Sequence, residues 1–171
     1  RANFPFCIVD AEMVVIGPAS PVPAPADGWC AQLLPTKTKA KKETGINYLG
    51  SVNMTTKHAK AYKYDEMTYS LYLAPAKMSG FEVCPMRTEE CTRLCLNESG
   101  MNRMNMKDDM INESRIKKTK LFFENRDYFM QWMIAEITTA KKKADKLGYH
   151  FSVRLNNTSD ISPESFYTTV N

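Results

Sequence analysis

The sequence predicts an α/β fold built on a parallel-sheet β-α-α-β core, part of a barrel-like or an open sheet, with an extended N-terminal arm. Three observations predict it. Residues 68–73 and 149–155 are short runs rich in β-branched and aromatic side chains, the composition of strands. Between them, residues 106–123 and 127–147 have the length and the apolar spacing of two helices. A strand, two helices and a second strand in that order suit a right-handed crossover, which sets the two strands parallel in one sheet.

Residues 1–47 read as the arm, leaving 48–171 as the α/β domain. Pro18, Pro21, Pro23 and Pro25 punctuate an Ala/Ser/Val stretch, where fixed φ angles and missing amides favour extended backbone and exclude a helix. At its end Lys37, Lys39, Lys41 and Lys42 form a basic run, for which a solvated loop is the plain reading and phosphate contact the functional one. The first strand stops at Ala74-Pro75, because proline has no amide to continue a ladder. Met78-Ser79-Gly80 then turns the chain into a polar loop that Ser99-Gly100 closes.

Of the two helices the second is the clearer, with Phe129, Met133, Ile137, Ala140, Ala144 and Leu147 in one apolar stripe. Lys141, Lys142, Lys143 and Lys146 crowd its last turns, where cations suit the helix dipole, and Gly148 sits where a left-handed cap is wanted. In the first helix Asp108, Asp109 and Glu113 are explained by the dipole before any metal, and Met101, Met104, Met106 and Met110 by core packing. The second strand ends in the polar turn 156–160. Two parallel strands would therefore send the 78–100 loop and this turn out of the same carboxyl edge, where α/β folds place their sites.

Composition narrows the function classes. At 171 residues, 43% hydrophobic and 25% charged, the chain suits one globular domain and excludes wholesale disorder. The apolar stretch 4–16 is broken by Asp10 and Glu12 and falls short of a membrane span or an export signal, so the expected location is the cytoplasm of a host cell. A net charge of +4 permits nucleic acid as a partner without arguing for it. Asn-x-Ser/Thr triplets at Asn53, Asn97, Asn112, Asn156 and Asn157 carry no weight without export.

The strongest chemical signature is Cys84, Cys91 and Cys95, three of the five cysteines, at Cys-x6-Cys-x3-Cys spacing. Cys91 and Cys95 are four apart, so one turn of helix would set both sulfurs on one face. Three thiolates on so short a segment suit a soft metal, zinc or an iron–sulfur cluster, and Arg87 and Arg93 favour the thiolate state. A closed structural zinc site takes four ligands, so a fourth comes from elsewhere or one position is open. His58 and His150 are the two histidines available. Cys7 and Cys30 read as apolar fillers.

A second cluster is Asn156, Thr158, Ser159 and Asp160 with Arg154 in the strand before it. Hydroxyls and a carboxylate at a strand end can seat a polar ligand, with Asp160 as an acid or base. The same residues form Asx and ST turns with equal ease. Arg154 shares a strand face with Ser152 and His150 and is placed either to reach a site or to pair with Asp160.

Residues 73–85, Leu-Ala-Pro-Ala-Lys-Met-Ser-Gly-Phe-Glu-Val-Cys-Pro, taken with Cys91, Cys95, the Arg115–Thr119 stretch and the Arg154–Ile161 run, resemble the gene product 88-like proteins of bacteriophages over residues 66–166. That family is in turn similar, at a distance, to radical S-adenosylmethionine enzymes. The resemblance implies a [4Fe-4S] cluster on Cys84, Cys91 and Cys95, S-adenosylmethionine as cosubstrate and Asp160 near the pocket. The spacing differs from the Cys-x3-Cys-x2-Cys of those enzymes.

The leading expectation is a phage-encoded metalloprotein, an iron–sulfur enzyme acting on S-adenosylmethionine or a nucleic-acid-derived substrate. The first rival is a non-catalytic module in which zinc staples the loop and the surface meets nucleic acid or a host protein. The second is a metal-free enzyme using Asp160 or Glu66 as its acid or base. Oligomeric state, substrate and reaction are left open by the residues.

Overall fold

The computed structural model describes residues 14–15, 37–52, 55–95 and 110–162. In chain order the elements are β1 (Val14–Val15), α1 (Lys37–Thr44), β2 (Gly50–Ser51), α2 (Thr56–Tyr62), β3 (Glu66–Leu71), α3 (Glu89–Arg93), α4 (Met110–Glu124), α5 (Arg126–Leu147) and β4 (His150–Arg154). The class is mixed α/β. Among the described residues the sheet is open, four-stranded and ordered β1-β4-β3-β2, with no closure into a barrel. Its two central strands, β3 and β4, pair in parallel from Glu66↔His150 to Ser70↔Arg154, and the short outer strands pair antiparallel to them. Among the described residues three helices, α3 to α5, lie in the connection between the parallel strands where the sequence predicts two.

Strand alternation divides the sheet into unlike faces. Met67, Tyr69 and Leu71 of β3, with Phe151 of β4, are buried in the apolar core beneath α5, together with Phe129, Trp132, Met133 and Ile137 of that helix. Glu66, Thr68 and Ser70 occupy the other face with His150, Ser152 and Arg154. That face is polar and bonded across the strands, Thr68 Oγ1 to Ser152 Oγ at 2.9 Å and the Ser152 hydroxyl to Glu66 Oε1 at 3.2 Å. Helix α2 reaches it through His58, its one buried side chain, whose Nε2 lies 2.8 Å from Ser70 Oγ.

Helix α5 forms as the stripe demands, with Asn125 capping its amino end and Gly148 in the left-handed region at φ 71° closing the other. Of the lysines at that end, Lys141 pairs with Asp145 at 2.8 Å. Helix α4 packs on α5 through Phe122 and Phe129, an edge-to-face pair at 5.2 Å. Its first turn exposes Met110, against the core-packing expectation, because the helix buries Asn112, Lys118, Thr119 and Phe122 instead. Met101, Met104, Met106, Asp108, Asp109, Cys7, Cys30 and the prolines of the arm lie outside the described residues.

Parts of the expected arm, residues 1–47, form elements of the fold. Lys37–Thr44 is a helix, not a solvated loop, and Ala40 and Ile46 enter the core. Lysine and alanine are good helix formers, and one small residue facing inward is too short a stripe to read as amphipathic. The Tyr128 hydroxyl donates to Glu43 at 3.0 Å and ties α1 to α5. β1, inside the expected arm, pairs with β4. Among the described residues no helix is long and apolar enough to cross a membrane.

Candidate functional site

The cysteine loop leaves the carboxyl end of β3 and is pinned before it reaches Cys84. The buried Ala74 N–H donates to Thr119 Oγ1 at 2.8 Å, and that hydroxyl donates to the Arg115 carbonyl at 2.9 Å, so α4 holds the start of the loop. Two turns follow, Met78 N–H to the Pro75 carbonyl at 3.2 Å and Gly80 N–H to the Lys77 carbonyl at 2.9 Å. Gly80 sits at φ 92°, a conformation glycine adopts without strain. Phe81 then stacks on Phe123 of α4, ring centroids 4.6 Å apart. The buried Val83 is held at both backbone groups, its N–H on the Ala76 carbonyl at 3.1 Å and its carbonyl receiving Asp160 N–H at 2.8 Å.

Cys84 therefore follows a residue shared by the two loops of the carboxyl edge. Its own N–H donates to Glu82 Oε1 at 3.0 Å. Arg87 clasps the loop: Nη2 and Nε reach the Glu82 carboxylate at 3.1 to 3.3 Å, and Nη1 reaches Thr92 Oγ1 at 2.5 Å. Thr88 caps α3, its hydroxyl oxygen accepting from Cys91 N–H at 3.1 Å, which sets Cys91 in the first turn of that helix. Glu82, Arg87, Thr88, Thr92 and Arg93 line a shallow cleft of about 620 Å³ beside the cysteines.

The charges of the loop answer one another. The hydrogen bond from Arg87 holds the Glu82 carboxyl below its usual range, and Glu82 raises Arg87 in return. Arg87 is thus paired chiefly with Glu82. Burial pushes the Cys84 thiol up, while the Ala76 and Asp160 amides directed at its sulfur act in the opposite sense; Glu82 and Cys95 add to the rise. Cys84 and Cys95 are therefore electrostatic neighbours, and Arg87 feels both Cys84 and Cys91. All three cysteines are free thiols, Cys84 and Cys95 half-buried and Cys91 exposed. As a donor set, three thiols suit a soft metal. Among the described residues no three His, Cys, Asp or Glu side chains stand at the mutual spacing of a metal site.

The second cluster is brought to the same edge, with its hydroxyls and the Asn156 amide committed to bonds within the turn and to the chain leaving β3. Thr158 donates to the Leu73 carbonyl at 2.6 Å, Ser159 to Asn156 Oδ1 at 3.0 Å, and Asn156 Nδ2 to the Ile161 carbonyl at 2.8 Å. The Asp160 side chain is exposed, and it is the backbone of Asp160 that meets the cysteine loop. Arg154 points from the polar sheet face opposite Ser70 and makes no ion pair with Asp160 among the described residues. Its charge is felt instead by His58, whose pKa is lowered by burial first and by Arg154 second.

The two histidines are placed differently. His150 begins β4, at the amino edge, and the length of that strand, about 13 Å, separates it from the turn that meets the cysteine loop. His58 is bonded to Ser70 on the polar face. Glu66, the alternative acid or base, accepts from Ser152 at the same amino edge as His150. The Glu82–Arg87–Thr92 clasp and the Thr119 strut were missed from sequence. Opposite charges five apart inside the cysteine loop were the available signal for the clasp; a lone threonine in a helix gave none for the strut.

No curated protein and no solved structure matches the chain. The model of the family described as Gene product 88 matches residues 33–169, a span that takes in α1, both parallel strands, the cysteine loop and the 156–160 turn. The chain belongs to the Gene product 88 family, a family of bacteriophage proteins.

Proposed function

We propose that Cys84, Cys91 and Cys95 hold a soft metal centre, an iron–sulfur cluster or zinc, at the carboxyl edge of the β3/β4 pair. One observation carries the reading: three free thiols lie on a twelve-residue loop that is clasped by Arg87 and pinned at Val83 to the turn after β4. A loop pinned at its start and clasped within loses less freedom when its side chains gather on a ligand, which favours binding. Burial raises the Cys84 thiol, and the amides of Ala76 and Asp160 facing its sulfur offset part of that rise, toward the anionic form in which a thiol ligates.

In the enzymatic form of the reading, S-adenosylmethionine or a nucleic-acid-derived substrate binds at the carboxyl edge of the parallel strands, with Arg154, Asn156, Thr158, Ser159 and Asp160 as its proposed seat. A bound iron–sulfur cluster with an open iron supplies one-electron chemistry. The chain's own part is positional: Glu82 and Arg87 fix the loop, and Thr158 and the Asp160 amide fix the facing turn against it. In the second form zinc staples the loop and the domain binds nucleic acid or a host protein without catalysis. The exposure of Cys91 and of the neighbouring Met86 and Leu94 favours that form, since apolar side chains on a stapled knob suit a partner surface.

Titration with cobalt(II) under reducing conditions tests the shared claim. The reading expects a thiolate-to-cobalt absorption band that saturates near one equivalent and weakens sharply in Cys84→Ser, Cys91→Ser and Cys95→Ser. A spectrum without that band, or a band unchanged in all three variants, would rule the site out.

A further inference from the structure

Away from the cysteine loop, one side chain combines burial with unanswered chemistry. Lys118 stands in the middle of α4 and is only 5% exposed, although lysine is seldom buried without a partner. Among the described residues it makes no hydrogen bond and has no carboxylate within ion-pair distance. Its ammonium instead stands over the Tyr48 ring, 4.7 Å from the centroid. Tyr48 is itself an exposed residue, so the amine lies one ring below solvent.

The surroundings disfavour the ammonium. Arg115, three residues earlier on the same helix, adds a second cation on that side. Glu136 is near enough to be felt, but its carboxylate is committed to Leu49 N–H, Gly50 N–H and the Tyr69 hydroxyl at 2.8 to 3.1 Å. Burial pushes the Lys118 ammonium down, Glu136 opposes and Arg115 adds to the fall, leaving it at about 8. A desolvated lysine beside another cation is a recurrent way of making an amine nucleophilic near neutral pH.

We propose that Lys118 is a nucleophilic amine that forms an imine with a small aldehyde or ketone admitted beneath Tyr48. The Nζ lone pair adds to the carbonyl carbon to give a carbinolamine. Loss of its hydroxyl as water, with a proton leaving nitrogen, gives the imine, and no oxidant or reductant is consumed. The site is distinct from the cysteine loop and does not depend on a metal there.

The test is reductive trapping on the full chain. Glyoxylate and cyanoborohydride are applied at neutral pH to less than one adduct per chain, and the adduct is located by peptide mapping. The chain has sixteen lysines, so equal reactivity would give Lys118 about one-sixteenth of the label. The expected result is that Lys118 carries most of it, and that its labelling rate levels off above about pH 8. Lys118→Arg removes the dominant adduct and leaves the others unchanged. A native chain in which Lys118 takes no more than its equal share, or in which its rate keeps rising to about pH 10 as that of an ordinary amine does, would overturn the proposal even if the variant failed to fold.

Discussion

Replacing Thr119 with valine tests whether α4 holds the cysteine loop in place. Thr119 and Ala74 are both 0% exposed, and the Thr119 hydroxyl oxygen accepts the Ala74 N–H at 2.8 Å. Valine has nearly the same shape and lacks the hydroxyl, so packing is kept while the Ala74 amide is left without an acceptor or water. Orphaning a buried donor costs about 1–3 kcal/mol. Loss of the hydroxyl's second bond, to the Arg115 carbonyl, adds little, because such back-bonding contributes nothing favourable to a helix. With a urea slope of about 1–3 kcal/mol/M for a domain of this size, the unfolding midpoint should fall by about 1 M with the slope unchanged. Urea titration followed by circular dichroism measures it. A midpoint within about 0.2 M of the parent would refute the strut, since the Ala74 amide would then be satisfied by something else.

Other perturbations follow from the same contacts. Glu136→Gln leaves one oxygen to serve Leu49, Gly50 and Tyr69 and turns donors toward donors, so we expect a loss of about 2 kcal/mol in chemical denaturation. Gly50→Ala drives a methyl into the Tyr69 ring, at Cζ and the hydroxyl oxygen, and should cost about 1–3 kcal/mol or more as an overpacked contact; a neutral thermal melt would contradict the packing. His58 is held neutral, with its folded pKa below the unfolded value of about 6.5. Its contribution is therefore intact above pH 6.5 and lost as pH falls toward the folded pKa, and His58→Gln should flatten the fall in stability between pH 7 and pH 5. Lys118 also has a lowered folded pKa, about 8, so the parent gains stability as pH rises from 8 toward 10.5. Lys118→Met should be more stable than the parent at pH 7, and that advantage should shrink across the same window.

What was legible in the sequence was the part governed by long local patterns. The α5 stripe, its lysine-rich end and its glycine cap determine that helix almost alone, and the two β-rich runs bracket β3 and β4 to within two residues. Helix α2 was not legible, because its one buried residue is a histidine that seeks a polar sheet face rather than an apolar core. The strands β2 and β1 are two residues each, too short for alternation to show. At the site, the cysteine loop and the 156–160 turn were expected at one edge and do share it through the Val83–Asp160 bond. The roles given to Thr158 and Ser159 were ambiguous in sequence for a physical reason: hydroxyls that can seat a ligand also close or tether turns, and here Ser159 closes the turn while Thr158 ties it to the Leu73 carbonyl. Arg154 was assigned to the site by strand alternation, but its charge is felt by His58 on the polar face.

Metal content is the most direct test of the proposed thiolate centre, made on the full chain purified without oxygen and paired with an absorption spectrum. Several irons per chain with a brown visible band, or one zinc with none, is the expected result, with either metal lost when Cys84, Cys91 and Cys95 are replaced together. Metal-free parent protein, or metal that persists in the triple variant, would contradict the assignment.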